Sequence, residues 1–247
     1  MNAPHFTAED HLVWKVLFDR QTALLHRRAA APVLAGLQRL GLSRDAAPDL
    51  DALSQRLHRL SGWTLEPVPG RVADREFLAL LAERKFPVTH WVRSMQYFDY
   101  LAGPDLFHDA FGHLPLLTDP DWAAWLAHFG QIARRHLPDA QAVEQLVRLF
   151  WRTAEFGLVQ EGESLRVYGA GLLSSAAELH HCLSAEAARQ PLDVSAALAT
   201  PVVREGFQPQ YFVLPAWAEL ADATAELVAG LAAAPAPVPL PQNQPLR

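Results

Sequence analysis

The sequence has a single cysteine in 247 residues, so Cys182 has no partner for a disulfide within the chain. That excludes a disulfide-stapled fold and fits a reducing, cytoplasmic setting. Basic runs are lacking too: 21 Lys and Arg stand against 27 Asp and Glu, a net charge of −6. Binding phosphates requires a concentrated Lys/Arg footprint, so nucleic acid is not an expected partner. Met1 to Phe6 show no basic stretch followed by an apolar one, and no secretion signal is expected there. The apolar carboxyl end from Val228 to Leu240 is broken by Pro235, Pro237 and Pro239, which rules out a membrane helix. No internal repeat is visible. Half of the residues are apolar, enough for one sizeable core, so residues 1–232 read as a single domain and 233–247 as a flexible Ala/Pro-rich tail.

The period of the apolar residues is mostly helical. Thr7 with Asp10 forms a capping pattern that opens a helix to about Arg28, and Leu50, Leu53, Leu57 and Leu60 make a stripe ended by Gly62. Further helices are predicted at about 74–84, 119–136, 139–160, 172–184 and 215–232. Extended segments are short and β-branched or aromatic: Thr64 to Val68, Val88 to Val92, Leu165 to Tyr168 and Gln210 to Val213. The expected fold class is mainly α with short β elements, α+β.

Chemistry concentrates in two places. His108 and His113 stand five residues apart, and Glu155 follows about forty residues later. Two imidazoles and a carboxylate without a thiolate suit a divalent metal with open positions, as in non-heme iron oxygenases, although catalytic zinc uses the same set. The spacing is not His-Glu-x-x-His, since Asp109 follows the first His. Five residues turn roughly 140° on an α-helix, so the helix is expected to end between the two rings. Gly112 is the expected exit residue, with Pro115 pulling Leu114 out of the helix and His113 in the loop. On a continuing helix Glu155 would have Trp151, Leu158 and Val159 as neighbours, and a carboxylate against such a wall needs a partner. That partner is either a metal or a salt bridge to Arg148 or Arg152.

Five segments, in this order, carry a resemblance: Pro67-Val68-Pro69-Gly70, Pro104 through Pro115, Trp151 through Gln160, Tyr168 through Ser175 with Glu178-Leu179, and Phe207 through Tyr211. Together they resemble the catalytic domain of the pterin-dependent aromatic amino acid hydroxylases over roughly residues 10–225, most like the short bacterial form in which Asp follows the first His. The resemblance implies the aromatic amino acid hydroxylase catalytic-domain fold and the hydroxylation of phenylalanine to tyrosine. The expected cofactors are Fe(II) and tetrahydrobiopterin or another tetrahydropterin. Partners are then small molecules only, the aromatic amino acid, dioxygen and the pterin, and the protein is expected to be a cytoplasmic monomer.

The same resemblance suggests roles. His108, His113 and Glu155 match the iron ligands, and Gly70, Val72 and Phe77 match the pterin site, where Phe77 stacks on the ring. Phe77 within Phe77-Leu78-Ala79-Leu80-Leu81 also reads as ordinary core. Arg93 matches the arginine that grips the substrate carboxylate, a task suited to a planar fork. Pro104, Trp151 and Phe156 match walls of the amino-acid pocket, and Ser174 matches a serine that bonds the first His, with a helix-start serine as the plainer reading. Two positions depart from the pattern: Gly103 stands where Glu is usual and Arg152 where an aromatic is common. Tryptophan 5-hydroxylation and phenylalanine 3-hydroxylation are therefore alternatives within the family. A His2Glu zinc hydrolase, or a silent binding relative, is the alternative outside it.

Overall fold

A computed structural model describes residues 6–99, 101 and 103–233. Of the predicted flexible tail only Ala233 is among them, and residues 1–5 of the stretch read for a signal also lie outside. The fold is mainly α with short strands. Helix α1, Ala8–Leu25, opens with the predicted capping box, Thr7 accepting from the Asp10 N–H while the Asp10 carboxylate takes the Thr7 N–H. Helix α2, Ala31–Leu40, was not anticipated, although Pro32 in its first turn and Gly41 just past its end are start and stop signals. Helix α3, Leu50–Ser61, buries Leu50, Leu53 and Leu57, whereas Leu60 is 38% exposed. At i+10 the stripe has turned about 80° away from Leu50.

Strands β1, Thr64–Val68, and β2, Lys85–Thr89, pair in parallel in the register Thr64↔Lys85 to Val68↔Thr89, joined by helix α4, Asp74–Ala82. A parallel pair needs such a crossover. The second strand was predicted three residues later; pairing with β1, entered from Arg84 at φ 55°, fixes it earlier. Short helix α5, Leu114–Leu117, then α6, Pro120–His136, and α7, Ala140–Phe150, follow. The segment predicted as one helix over 139–160 divides: α7 widens into a π turn at Trp151–Glu155, and β3, Leu158–Glu161, begins soon after. Strand β3 forms a hairpin with β4, Ser164–Val167.

The remaining elements are α8, Ala170–Ser174; α9, Ala176–Leu183; β5, Arg189–Pro191; α10, Val194–Ala199; β6, Tyr211–Leu214; and α11, Glu219–Ala233. A four-stranded sheet has the order β4-β3-β6-β5, antiparallel in the hairpin and parallel elsewhere. One apolar cluster runs from Val13 to Leu227 and includes Phe107, Phe111, Leu114 and Leu172, so both histidine-bearing and serine-bearing segments rest on the core.

Candidate active site

The helix carrying the two histidines does not end between them. From His108 to His113 it widens into a π turn, with the Leu114 N–H reaching the Asp109 carbonyl five residues back. Five residues make little more than one of these wider turns, so residues i and i+5 return close to the same side of the axis. The expected exit at Gly112 is thus corrected: Leu114 stays helical at φ −66°, ψ −27°, and Pro115, which has no N–H to offer, sits in the first turn of α5. Gly112 serves another purpose. A Cβ there would lie 2.9 Å from the Ala170 carbonyl oxygen, so glycine lets the π turn press onto α8.

Glu155 ends the second π turn, where the Phe156 N–H bonds the Trp151 carbonyl. Its predicted helical neighbours Leu158 and Val159 belong instead to β3. Neither arginine proposed as its partner is engaged with it: Arg148 pairs with Glu144, and Arg152 bonds Gln208 and the carbonyls of Thr200 and Pro201. Gly169 permits this placement, because a Cβ at that position would fall 2.4 Å from the Glu155 carbonyl oxygen.

The two π turns bring the three side chains together. His113 Nε2 lies 3.1 Å from Glu155 Oε1 and 3.1 Å from His108 Nε2, and His108 Nε2 lies 3.5 Å from Glu155 Oε2. All three ligand atoms fall within 4.8 Å of one another. The tautomer of His108 follows from the hydrogen bonds. Ser174 Oγ donates to the Ala170 carbonyl at 2.8 Å, so across its 2.9 Å contact it accepts from His108 Nδ1–H. The lone pair of His108 is thereby left on Nε2, facing the cluster. Ser174 lies in the last turn of α8, and Ser175, not Ser174, is the cap of α9.

Burial sets the protonation of this group against its charges. Burial and the charge of His113 pull the His108 imidazole down to about 4, Glu155 opposing. Burial would also lower His113, but Glu155, by charge and hydrogen bond, and Asp109 raise it. Burial would raise Glu155, yet His113, His108 and Arg71 bring it down to about 2. These shifts favour an ionised Glu155 and a neutral His108, and move His113 toward its protonated form. Two imidazole nitrogens and a carboxylate, thiolate-free, fit a divalent ion with further positions open.

Two further buried carboxylates, Asp105 and Asp109, brace the histidine-bearing turn. Asp105, wholly buried, accepts from the Arg93 Nε and Nη2 groups at 2.9 and 2.8 Å and from the backbone N–H groups of Arg93 and His108 at 3.0 Å each. Burial alone would raise this carboxyl; the Arg93 fork and the two N–H groups hold it below its ordinary value. Asp105 stands three residues before His108, a capping position that could have been read. The fork of Arg93 is thus turned onto Asp105, leaving Nη1 outside that pair. Asp109 accepts both the N–H and the hydroxyl of Thr89, at 2.7 and 2.8 Å, and latches the end of β2 to the π turn. Burial pushes its carboxyl up to about 7.

Aromatic rings line the flank of His113. Phe86 lies 4.8 Å from its ring, Phe150 stacks at 6.1 Å, and Phe77 meets Phe150 edge-on at 4.8 Å. Phe77 is only half-buried, so it is neither a free platform nor a full core residue. Gly70 and Val72 lie in the loop between β1 and α4, which the Trp91 indole fastens by donating to the Pro69 carbonyl at 3.0 Å. Trp151 and Phe156 meet at 5.1 Å on either side of Glu155, both half-buried, and Pro104 is half-buried immediately before Asp105. Of the departures, Gly103 is exposed with open space around it, while Arg152 is buried at 1% exposure.

Comparison with known proteins agrees with this arrangement. Residues 2–233 match the family described as biopterin-dependent aromatic amino acid hydroxylase. The phenylalanine-4-hydroxylase of Ralstonia nicotianae is 43% identical over 220 residues, covering 89% of this chain and 70% of that protein. The crystal structure of Chromobacterium violaceum phenylalanine hydroxylase with bound iron(III) and oxidised 7,8-dihydrobiopterin superposes with a TM-score of 0.87 at 41% identity, over 92% of this chain and 84% of that one. The phenylalanine hydroxylase of Legionella pneumophila gives 0.85 at 37% identity, over 92% and 91%. With the five sequence segments, the paired π turns and these matches in agreement, the chain belongs to the biopterin-dependent aromatic amino acid hydroxylases.

Proposed function

We propose that this enzyme is a phenylalanine 4-monooxygenase that forms tyrosine with ferrous iron, dioxygen and a tetrahydropterin, tetrahydrobiopterin being the expected form. The observation that carries the reading is the His108–His113–Glu155 cluster, three ligand atoms of the right chemistry within 4.8 Å on a core-backed scaffold. Family membership and the iron- and pterin-bound relative support it, and they displace the zinc-hydrolase alternative. When bound, iron and the reduced pterin supply the activation of dioxygen, chemistry that no side chain performs.

In this reading the chain holds, orients and excludes water. His108, with its Nδ1–H given to Ser174, and His113 and Glu155 present three ligand atoms to one side. Arg93, stiffened by Asp105, takes the amino-acid carboxylate through Nη1. Pro104, Trp151 and Phe156 wall the aromatic ring, and Phe77 stacks on the pterin while the main chain of Gly70 and Val72 bonds its edge. Residues 1–232 act as a single catalytic domain. The protein works as a cytoplasmic monomer on small molecules; no helix among the described residues is long and apolar enough to cross a membrane.

The substrate is tested by offering phenylalanine, tryptophan and tyrosine in competition, with tetrahydropterin and ferrous iron, and identifying the products. An apolar slot separates ring sizes by only about 1–3 kcal/mol, so the preference should be marked but incomplete. Phenylalanine should be consumed fastest, tryptophan more slowly and tyrosine hardly at all, with tyrosine the main product. Predominant 5-hydroxytryptophan or meta-tyrosine would place the enzyme on another branch of the family.

A further inference from the structure

Arg152 follows the indole of Trp151 and precedes Glu155 by three residues, yet its side chain leaves the cluster. It is 1% exposed and takes no part in any ion pair among the described residues. Burial, with Arg148 nearby, brings its guanidinium down to about 10. A buried cation without a counter-charge needs a full set of hydrogen-bond acceptors. Arg152 finds acceptors for both Nη groups in a single loop, Nη2 donating to the carbonyls of Thr200 and Pro201 and Nη1 to Gln208 Oε1 at 2.9 Å, while its Nε is buried without a partner among the described residues.

Gln208 Oε1 also receives the indole N–H of Trp151, at 3.1 Å. One oxygen therefore bridges the indole and the buried guanidinium. Gln208 is itself fixed: its Nε2 donates to the Val203 carbonyl, and its backbone N–H donates to Glu178 Oε1, which also takes the Tyr211 hydroxyl at 2.6 Å. Phe207 stacks on His181 at 4.2 Å, and Arg204 lies over the Trp151 ring at 5.9 Å. The loop from 200 to 208 is tied at both ends and meets the indole at its N–H through Gln208 and over its ring through Arg204.

We infer that Arg152 and Gln208 are positioning residues that clamp the Trp151 indole, and thereby set how well the pocket distinguishes a single aromatic ring from a larger one. The inference rests on the proposed substrate pocket. Neither residue touches substrate in this account; both act through Trp151. Freeing the indole widens the slot and relaxes the discrimination without altering the metal cluster or the pterin side.

Arg152→Met and Gln208→Leu remove the clamp from opposite ends. Phenylalanine and tryptophan are supplied in competition, and the ratio of their hydroxylated products is read. That ratio does not depend on how much of a variant is folded, because both substrates meet the same active molecules. The preference for phenylalanine should fall at least about threefold in both variants while the pterin KM stays within about twofold. Arg152→Lys, which keeps the charge and one donating nitrogen but loses the fork, should recover part of the preference. An unchanged ratio in both variants overturns the inference.

A second measurement needs only the intact protein. The indole N–H signal of Trp151, assigned with Trp151→Phe, should exchange with solvent at least about tenfold more slowly than an unbonded exposed indole. Exchange at the free rate overturns the clamp even if neither variant folds. Should the wild type hydroxylate neither amino acid, the substrate reading fails while the exchange measurement still judges the clamp.

Discussion

Ser174 shows how much one hydroxyl can settle. Its single hydrogen goes to the Ala170 carbonyl, so it can only accept from His108, and the His108 lone pair is fixed on Nε2. Replacing Ser174 by Ala should weaken ferrous iron binding about 10–100-fold while circular dichroism stays unchanged. Unaltered iron affinity would reduce the contact to packing. Arg93 is the second test at this scale. Arg93→Lys keeps the charge but loses the paired bonds to Asp105, so the amino-acid KM should rise at least about tenfold with the pterin KM little changed. An equal rise in both constants would mean that Arg93 supports the structure rather than the substrate. The ligand types and Arg93 were legible in the sequence because they are chemically distinctive residues in a recognisable order. The Thr89–Asp109 latch and Gln208 were not, since their partners are remote in sequence, whereas Asp105 stands at a capping position before His108 that could have been read.

At the scale of elements, the main surprise is a pair of π turns. Helices with strong caps and stripes, such as α1, α3 and α6, were readable to within a few residues, as was β1. The π turns were not, because the α period assumes a fixed 3.6-residue turn and treats a five-residue His spacing as a helix end. The same assumption carried the helix predicted over 139–160 into β3. Holding the turns against each other requires close backbone approach, which Gly169 provides beside the Glu155 carbonyl. Gly169→Ala should therefore lower stability by about 1–3 kcal/mol through overpacking. It should also reduce iron occupancy, although every ligand is retained. Thermal melting and metal analysis of the purified variant check both effects; an unchanged melting curve and full iron occupancy would show that the segment yields without moving Glu155.

For the whole molecule, the cluster joins a π turn after Asp105 to another before β3, so a bound ion ties together segments some forty residues apart. Iron at about 100 times its Kd adds about 2.7 kcal/mol to stability. In a domain of this size that raises Tm by roughly 5–10 °C. Alanine at His108, His113 or Glu155 should abolish the increase while leaving the metal-free protein helical. The measurement that bears most directly on the account is a titration of metal-free protein with ferrous iron, in the presence of phenylalanine, tetrahydropterin and dioxygen, following tyrosine. Tyrosine formation should rise linearly and saturate at one equivalent of iron per chain, and should be absent in Glu155→Ala. Tyrosine formation independent of added iron, or sustained equally by zinc, would contradict it.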